Sequence, residues 1–321
     1  MRFIVYGAGA IGGVIAARLF EQGSNVVGIA RGTHHDAWAT RGLRVLDPER
    51  DVTLPVPVAG HPDEITFEEA DVLILAMKTQ DTEPALRALA ARAPQEVAIV
   101  CAQNGVENER IALRYFPNVY GMCVMCPTSH LEAGVVEASS TPITGLLDLG
   151  RYPHGIDATA KAIADALQAA TFESIPRPDI MRWKYAKLLM NLGNAAQALC
   201  APTEGLAELT RRARSEGSAT LRAAGIDVAS REEDETRRGE LLQPKPIGDR
   251  PRGGGSSWQS LHRGTGHIET DYLNGEIVRL GRMHDVATPV NAMLQARAND
   301  AARRRLPPGS TTAEALLALL S

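Results

Sequence analysis

No stretch of this chain is apolar for long enough to cross a bilayer, a task that takes about 20 residues of helix. The opening MRFIVYGAGAIGG has no long apolar core before its glycines and no cleavage context, so it does not read as a secretory leader. An excess of one charge is also missing. The 321 residues carry 34 Lys and Arg against 38 Asp and Glu, a net charge of −4. That leaves no global field to gather nucleic acid or an anionic membrane. The short basic runs Arg211-Arg212 and Arg303-Arg304-Arg305 do not alter this, and the second sits near the end of an expected helix, where cations suit the dipole. Cysteine is scarce, with four in all. Cys123 and Cys126 form a C-x-x-C inside YGMCVMCP, but no second pair follows, and a zinc site usually takes four ligands. Buried, reduced thiols in a reducing cytosol are the expectation. The histidines are scattered, and His34-His35 are too close in sequence to share an ordinary metal site, so no metal is expected.

What is present is alternation. RFIVYG (residues 2–7) is an apolar run of strand length, followed by a helical stretch that ends at Gly23. NVVGIA (25–30) reads as a second strand, ADVLILAM (70–77) and EVAIVCA (96–102) as strands buried on both faces, and TEPALRALAARAP as a helix stopped by Pro94. NVYGMCVMC (118–126) follows another helical stretch. This order predicts a doubly wound α/β Rossmann domain with a mostly parallel sheet. VVEASSTPITGLLDLG (135–150) reads as an added hairpin, residues 156–170 as a helix, and 171–175 as a short last strand. After Pro178 the periodicity is helical with few strand candidates, which predicts an all-helical second domain. The expected division is therefore 1–178 and 179–321. Gln243 to Ser257, rich in Pro and Gly, breaks the helical half as a loop, either plain connection or a lid.

Gly7-Ala-Gly9-Ala10-Ile11-Gly12 is a G-x-G-x-x-G that directly follows a strand and opens a helix. In that setting the first glycine permits the tight turn, the second lets backbone approach a pyrophosphate, and the third lets helix and strand pack closely. The helix start then offers free N–H groups to phosphates. A site for NAD usually has a carboxylate at the end of the second strand. Here Ala30-Arg31-Gly32-Thr33 stands there, and a guanidinium suits a 2′-phosphate, with Thr33 and His34 as candidate helpers. NADP(H) is the expected cofactor. Ligands of such sheets bind beyond the carboxyl ends of the strands. Lys78 lies just past the third strand and Gln103, Asn104 and Gly105 just past the fourth, so Asn104 is a candidate for nicotinamide, substrate or both.

In the helical half, WKYAKLLMNLGN (183–194) carries Lys184, Lys187, Asn191 and Asn194 at spacings of three, four and three. On one helix these fall on a narrow face. Two explanations stand: a solvated face, or the wall of a polar cavity. A further dense stretch, HIETDYLNGEIVRLGRMHDVATPVN (267–291), places Glu269 and Asp271 near a helix start, where carboxylates suit the dipole.

The order GAGAIGG, AMKTQ, QNGVEN, a helix with Lys-x-x-x-Asn, then SS before ETDYLNGEIV and TPVN resembles the ketopantoate reductase family over nearly the whole chain. The glycine motif is shared with many dehydrogenases; the pieces E-x-D-Y-x-N-G and T-P-x-N are more specific. The resemblance implies a Rossmann domain and a helical domain with the active site between them, and NADPH-dependent reduction of 2-dehydropantoate to pantoate on the way to pantothenate. It implies Lys187 as general acid, because only Lys187 stands four residues before Asn191. It further implies Glu269 as a catalytic and cofactor-facing carboxylate, and Ser257 with Asn191 on the substrate; Asn194, on the same stripe, is a further substrate-side candidate. Lys78 and Asn104 fall on the cofactor- and substrate-facing side. Lys184 reads as a rim residue.

Three departures lie on the substrate side. Ala195 stands where the family commonly has a second asparagine, Asn194 is one position short of it, and Ser257-Trp-Gln-Ser-Leu261 lacks the family's aspartate. They keep open a same-family reductase of another 2-oxo acid or ketone, and more remotely a non-catalytic NADP(H)-binding sensor. A sensor has no need of the lysine, asparagine and glutamate. The expected partner is a small-molecule 2-oxo acid, without nucleic acid or membrane; a homodimer is compatible with the sequence but not required by it.

Overall fold

The computed structural model describes residues 1–250 and 254–320. The chain falls into two compact units: Met1–Lys184 with Arg231–Arg252, and Tyr185–Ser230 with Gly253–Ser321. Each is taken by itself.

The first unit opens with β1 (Arg2–Tyr6), α1 (Ala10–Glu21), β2 (Asn25–Ile29) and α2 (Gly32–Arg41). Next come the short strands β3 (Leu43–Leu46), β4 (Asp51–Leu54) and β5 (Val58–Ala59). The alternation resumes with β6 (Asp71–Leu75), α3 (Thr82–Ala90), β7 (Ala98–Cys101), α4 (Asn108–Ala112) and β8 (Val119–Met125). It closes with β9 (Thr128–Ser129), β10 (Val135–Ala138), β11 (Gly145–Arg151), α5 (Ala158–Ala169) and β12 (Phe172–Glu173). The main sheet has the order β12-β11-β8-β7-β6-β1-β2-β5. It is parallel except that β11 runs antiparallel to β8.

The two-residue period of the strands sorts their apolar side chains into two cores. Phe3, Val5, Val72 and Ile74 pack with Val14, Ile15, Leu19 and Ile163 on one face. Ile4, Leu73 and Leu75 pack with Leu86, Leu89, Ala112 and Phe116 on the other. Both faces are covered, which is why these strands read as continuous apolar runs rather than alternating ones.

The segment 135–150 is not a hairpin. β10 joins β3, β4 and β9 in a separate four-stranded sheet against α1, whereas β11 joins the main sheet beside β8. Both strands are nearly all buried, so each needs cover on two faces, and one added ribbon could not supply that. The β3–β4 ribbon, Leu43 paired with Leu54 through Leu46 with Asp51, was not read from the sequence.

After β12 the described residues hold helices and no further sheet: α6 (Ile180–Asn191), α7 (Asn194–Leu199), α8 (Gly205–Ala223) and α9 (Arg231–Arg238). Then come α10 (Ser256–His262), a 3₁₀ turn at Glu269–Tyr272, α11 (Asn274–Met283), α12 (Pro289–Arg303) and α13 (Ala313–Leu317). The first unit claims α9: Arg237 binds the buried Asp148 at 2.7 and 2.9 Å, and Arg182 grips Glu233 at 2.7 Å twice. The segment after it is docked as well. The Lys245 amide donates to the Ser139 carbonyl at 2.7 Å and Arg250 reaches Glu137 at 2.8 Å. Residues 251–253 of the loop expected at 243–257 lie outside the described residues. The loop ends earlier than expected, since Ser256 and Ser257 already belong to α10.

In the second unit α8, α11 and α12 pack around Leu209, Ala213, Ile277, Leu280 and Leu294. Polar side chains cross this core. The Asn291 amide donates to the Ala213 carbonyl at 2.9 Å and to Glu216 at 2.8 Å, and its oxygen accepts from Asn274 at 3.0 Å. Asn274 also donates to the buried Leu192 carbonyl at 3.0 Å, in the break where α6 stops at Asn191 and α7 restarts at Asn194. The Glu216 carboxylate accepts from the Val290 and Asn291 amides at the start of α12, just after Pro289 at the first helical position. The asparagines of the N-G and T-P-x-N pieces thus hold helices together.

Candidate active site

Four neighbouring strands of the first unit, β7-β6-β1-β2, end on the same edge of the sheet, because all four are parallel. The chain reverses its direction of travel across the sheet at β1, where a doubly wound sheet opens its crevice. The glycine loop, Arg31, the Lys78 turn and the Asn104 turn follow these four strand ends.

The glycine loop has the geometry its motif predicts. Gly7 adopts φ of +83°, and a Cβ there would lie 2.4 Å from the Met77 nitrogen. A Cβ on Gly12 would lie 3.0 Å from Ala76 and 3.1 Å from Val5, so helix and strand touch at that point. At Gly9 the nearest atom to such a Cβ is 3.9 Å away, on His130, which leaves a shallow open cradle. The first intrahelical bond runs from the Gly13 amide to the Gly9 carbonyl at 2.7 Å. The amides of Ala10, Ile11 and Gly12 precede it, and no side chain caps them. This loop fits a pyrophosphate, through three helix-start amides and a backbone without a side chain in the way.

Arg31 sits at the N-cap of α2, 81% exposed, with one guanidinium nitrogen 3.1 Å from Asp81. An exposed pair of this kind is worth about 0–1 kcal/mol, so an arriving phosphate can displace the carboxylate. His34 is not available to help. It is buried, its Nδ1 accepts from the Gly134 amide at 2.9 Å, and its Nε2 therefore carries the proton and donates to the Ala8 carbonyl at 2.8 Å. It props the glycine loop from behind. Thr33 beside it is exposed.

A buried polar network joins the other two turns. The Gln103 amide donates to the Met77 carbonyl at 3.0 Å and to the Thr82 hydroxyl at 2.7 Å. Thr82 in turn donates to the Asn108 oxygen at 2.8 Å, and Asn108 donates to the Thr79 hydroxyl at 3.2 Å and the Asn104 carbonyl at 3.1 Å. Lys78 and Asn104 therefore stand on turns tied to each other from beneath. The clue in the sequence was the density of amide side chains in AQNGVEN directly after a wholly apolar strand.

Lys184 is not a rim residue. Its side chain is 2% exposed, and its Nζ lies 2.6 Å from Oε1 of Glu109, itself 0% exposed. Its Nζ also lies within hydrogen-bond distance of the carbonyls of Gln103 at 2.9 Å, Met122 at 3.2 Å and Cys101 at 3.3 Å. Burial pushes the Glu109 carboxyl up and the ammonium opposes the shift. The helical projection grouped Lys184 with Lys187 correctly in angle, but the two ends of α6 belong to different units. Asn194 leaves the stripe too: α6 ends at Asn191, so Asn194 begins α7.

In the second unit Lys187 is half-buried, and Asn191, one turn on, is buried as the last residue of α6. Ser257 is buried in the first turn of α10. Glu269 is buried at the start of the 3₁₀ turn, and Asn194 is half-buried. Asp271 accepts from Gln295 at 2.7 Å and Asn299 at 2.6 Å, so it anchors α12 rather than merely facing a dipole. α6, α10 and the 3₁₀ turn each carry polar side chains of the kinds a binding surface uses: a half-buried ammonium and a buried amide, a buried hydroxyl, and a buried carboxylate.

Comparison with known proteins gives a consistent picture. The family model described as ketopantoate reductase PanE/ApbA matches residues 3–153, and that for the PanE/ApbA C terminal matches 179–301. The 2-dehydropantoate 2-reductase of Halobacterium salinarum is 27% identical over 307 residues, covering 90% of this chain and 95% of that one. A crystal structure of a PanE/ApbA family ketopantoate reductase from Ralstonia eutropha JMP134 superposes with a TM-score of 0.78 at 26% identity, covering 95% of this chain and 99% of that one. A ternary structure of D-mandelate dehydrogenase with NADH and anilino(oxo)acetate shares the fold, with a TM-score of 0.80 at 23% identity and 95% and 99% coverage.

Proposed function

The chain belongs to the ketopantoate reductase family of oxidoreductases, and on that premise we propose that it reduces 2-dehydropantoate to pantoate with NADPH. The observation that carries this reading is the turn of α6 on which half-buried Lys187 precedes buried Asn191, in a chain whose glycine loop fits a pyrophosphate. The reduced nicotinamide supplies a hydride to the ketone carbon. The Lys187 ammonium stabilises the negative charge that gathers on the carbonyl oxygen and gives that oxygen its proton, leaving a neutral amine that regains a proton from solvent. Asn191 orients the carbonyl or hydroxyl, and Ser257 and Asn194 hold the carboxylate end. Glu269 orients the Lys187 ammonium and the cofactor's ribose. Lys78 and Asn104 hold the cofactor at the strand ends, and Arg31 takes the 2′-phosphate through charge-assisted hydrogen bonds. The product serves pantothenate synthesis in the cytoplasm.

A second reading keeps the chemistry and changes the acceptor to another 2-oxo acid. It draws on Ser257-Trp-Gln-Ser-Leu261, where Trp258 stacks on His262 with centroids 4.7 Å apart, and on the fold shared with an enzyme of an aromatic hydroxy acid. Consumption of NADPH by the purified protein, with 2-dehydropantoate beside aliphatic and aromatic 2-oxo acids, decides between them. Rapid turnover of 2-dehydropantoate supports the first reading; preference for an aromatic acid replaces it with the second. Silence across the whole panel with NADPH still bound points to a sensor.

A further inference from the structure

Lys184 and Glu109 are unused by the proposed chemistry, yet they are the most deeply buried ion pair on α6 and α4. An ammonium has three donors and no acceptor. Here four oxygens lie within reach of Nζ, the Glu109 carboxylate at 2.6 Å and three main-chain carbonyls, and its donors are shared among them. Two of the three carbonyls, Cys101 and Gln103, bracket the point where β7 leaves the sheet; the third, Met122, lies on the neighbouring β8. The last sheet bond on this side is Ala102 to the Leu75 carbonyl at 2.9 Å. Beyond it the chain must find other partners, and Lys184 supplies them.

Asn104 is thereby fixed from both sides. The carbonyl before it, Gln103, is held by Lys184 at 2.9 Å, and its own carbonyl is held by Asn108 at 3.1 Å. Gly105 then turns the chain away with φ of +80°. With both peptide planes pinned, the direction of the Asn104 Cα–Cβ bond is set. We propose that Lys184 and Glu109 form a buried positioning pair whose task is to hold the Gln103–Asn104 turn at the nicotinamide end of the cofactor site. This rests on the proposed placement of Asn104 against the cofactor.

A buried pair that only stabilises the fold makes a different prediction from one that positions a turn. Removing one partner strands a charge, and replacing both still leaves three buried carbonyls without their donor, so either role costs stability and only binding of the nicotinamide ring tells them apart. The double variant Lys184→Met/Glu109→Gln is therefore the test. Its thermal midpoint is compared with the parent, and its affinity is measured for NADPH and for 2′-phospho-ADP-ribose, which lacks the nicotinamide ring. The expected result is a lowered thermal midpoint with a cooperative transition, affinity of the folded protein for NADPH weakened about tenfold, and its affinity for the ringless compound unchanged. Unchanged affinity for both, or an equal loss of both, overturns the positioning role. Lys184→Arg keeps the charge but loses the three-point reach, and carries the same expectation if the double variant does not fold. Asn104→Ala in the same assay separates this proposal from the reading beneath it. A loss of NADPH affinity in Asn104→Ala with an unaffected double variant overturns the positioning role alone, and no loss in either overturns both.

Discussion

Asn108 in the first unit and Asn291 in the second are both wholly shielded from solvent, and both bond to backbone and side chain at once. Asn108 opens α4 and ties down turns that carry the proposed cofactor contacts. Asn291 lies where three helices meet and ties α12 to α8 and α11. One buried amide serves the surface proposed to hold the cofactor, the other serves the frame. The asparagines of the N-G and T-P-x-N pieces, part of what made the family resemblance specific, therefore report architecture rather than catalysis. The residues expected to do the chemistry sit elsewhere, on one turn of α6 and on the edges of α10 and the 3₁₀ turn.

The sharpest way to break that contrast is Lys187→Ala. A general acid contributes about 10²–10⁴-fold, so turnover with the preferred 2-oxo acid should fall by that factor. The thermal midpoint should stay close to the parent's, because a half-buried side chain is being shortened. A large loss of stability with turnover per folded molecule intact would make Lys187 part of the frame instead.

Asn291→Leu and Asn108→Leu test the two buried amides directly. Each strands buried partners, and each should cost about 2–4 kcal/mol in urea unfolding. Only Asn108→Leu should also weaken NADPH, since it frees the Asn104 carbonyl. If Asn291→Leu weakened NADPH equally, the division between frame and working surface would fail. Arg31→Ala has a smaller expected effect: the ratio of NADPH to NADH affinity should drop about 10–100-fold, the worth of one or two charge-assisted bonds. An unchanged ratio would remove Arg31 from the 2′-phosphate site.

The sequence was most legible where a residue acts locally. The glycine loop is a run of six residues whose demands on φ and free space can be met only one way, and Gly7 and Gly12 meet them. The sheet strands announced themselves because they are covered on both faces. Legibility failed where the partner is distant along the chain. Lys184 meets Gln103 across 81 residues and Arg237 meets Asp148 across 89, and no local period encodes either. That is why a buried lysine looked like a rim residue, and why α9 looked like one more helix of the second half. The stripe of Lys184, Lys187, Asn191 and Asn194 failed for another reason: a helical projection assumes one unbroken helix, and α6 ends at Asn191.

The smallest effect expected also compares the two units, through their thiols. Burial pushes Cys126 of the first unit up to about 12 and Cys200 of the second up to about 11, from an ordinary value of 9.0. Only the thiolate is alkylated, so at pH 8 fewer than about one in 10³ of either thiol is reactive in the native protein. Iodoacetamide should label both far more slowly in the folded chain than in urea. The sign of the linkage follows. A folded-state pKa above the unfolded one contributes stability that is complete below pH 9, and that is lost as pH rises toward 11 for Cys200 and 12 for Cys126. Replacing either cysteine with serine should accordingly flatten the fall of stability above pH 9. Fast native labelling of Cys126 at pH 8 would mean that the C-x-x-C strand opens readily. The rigid sheet on which the Lys78 and Asn104 turns depend would then be less fixed than the helical frame.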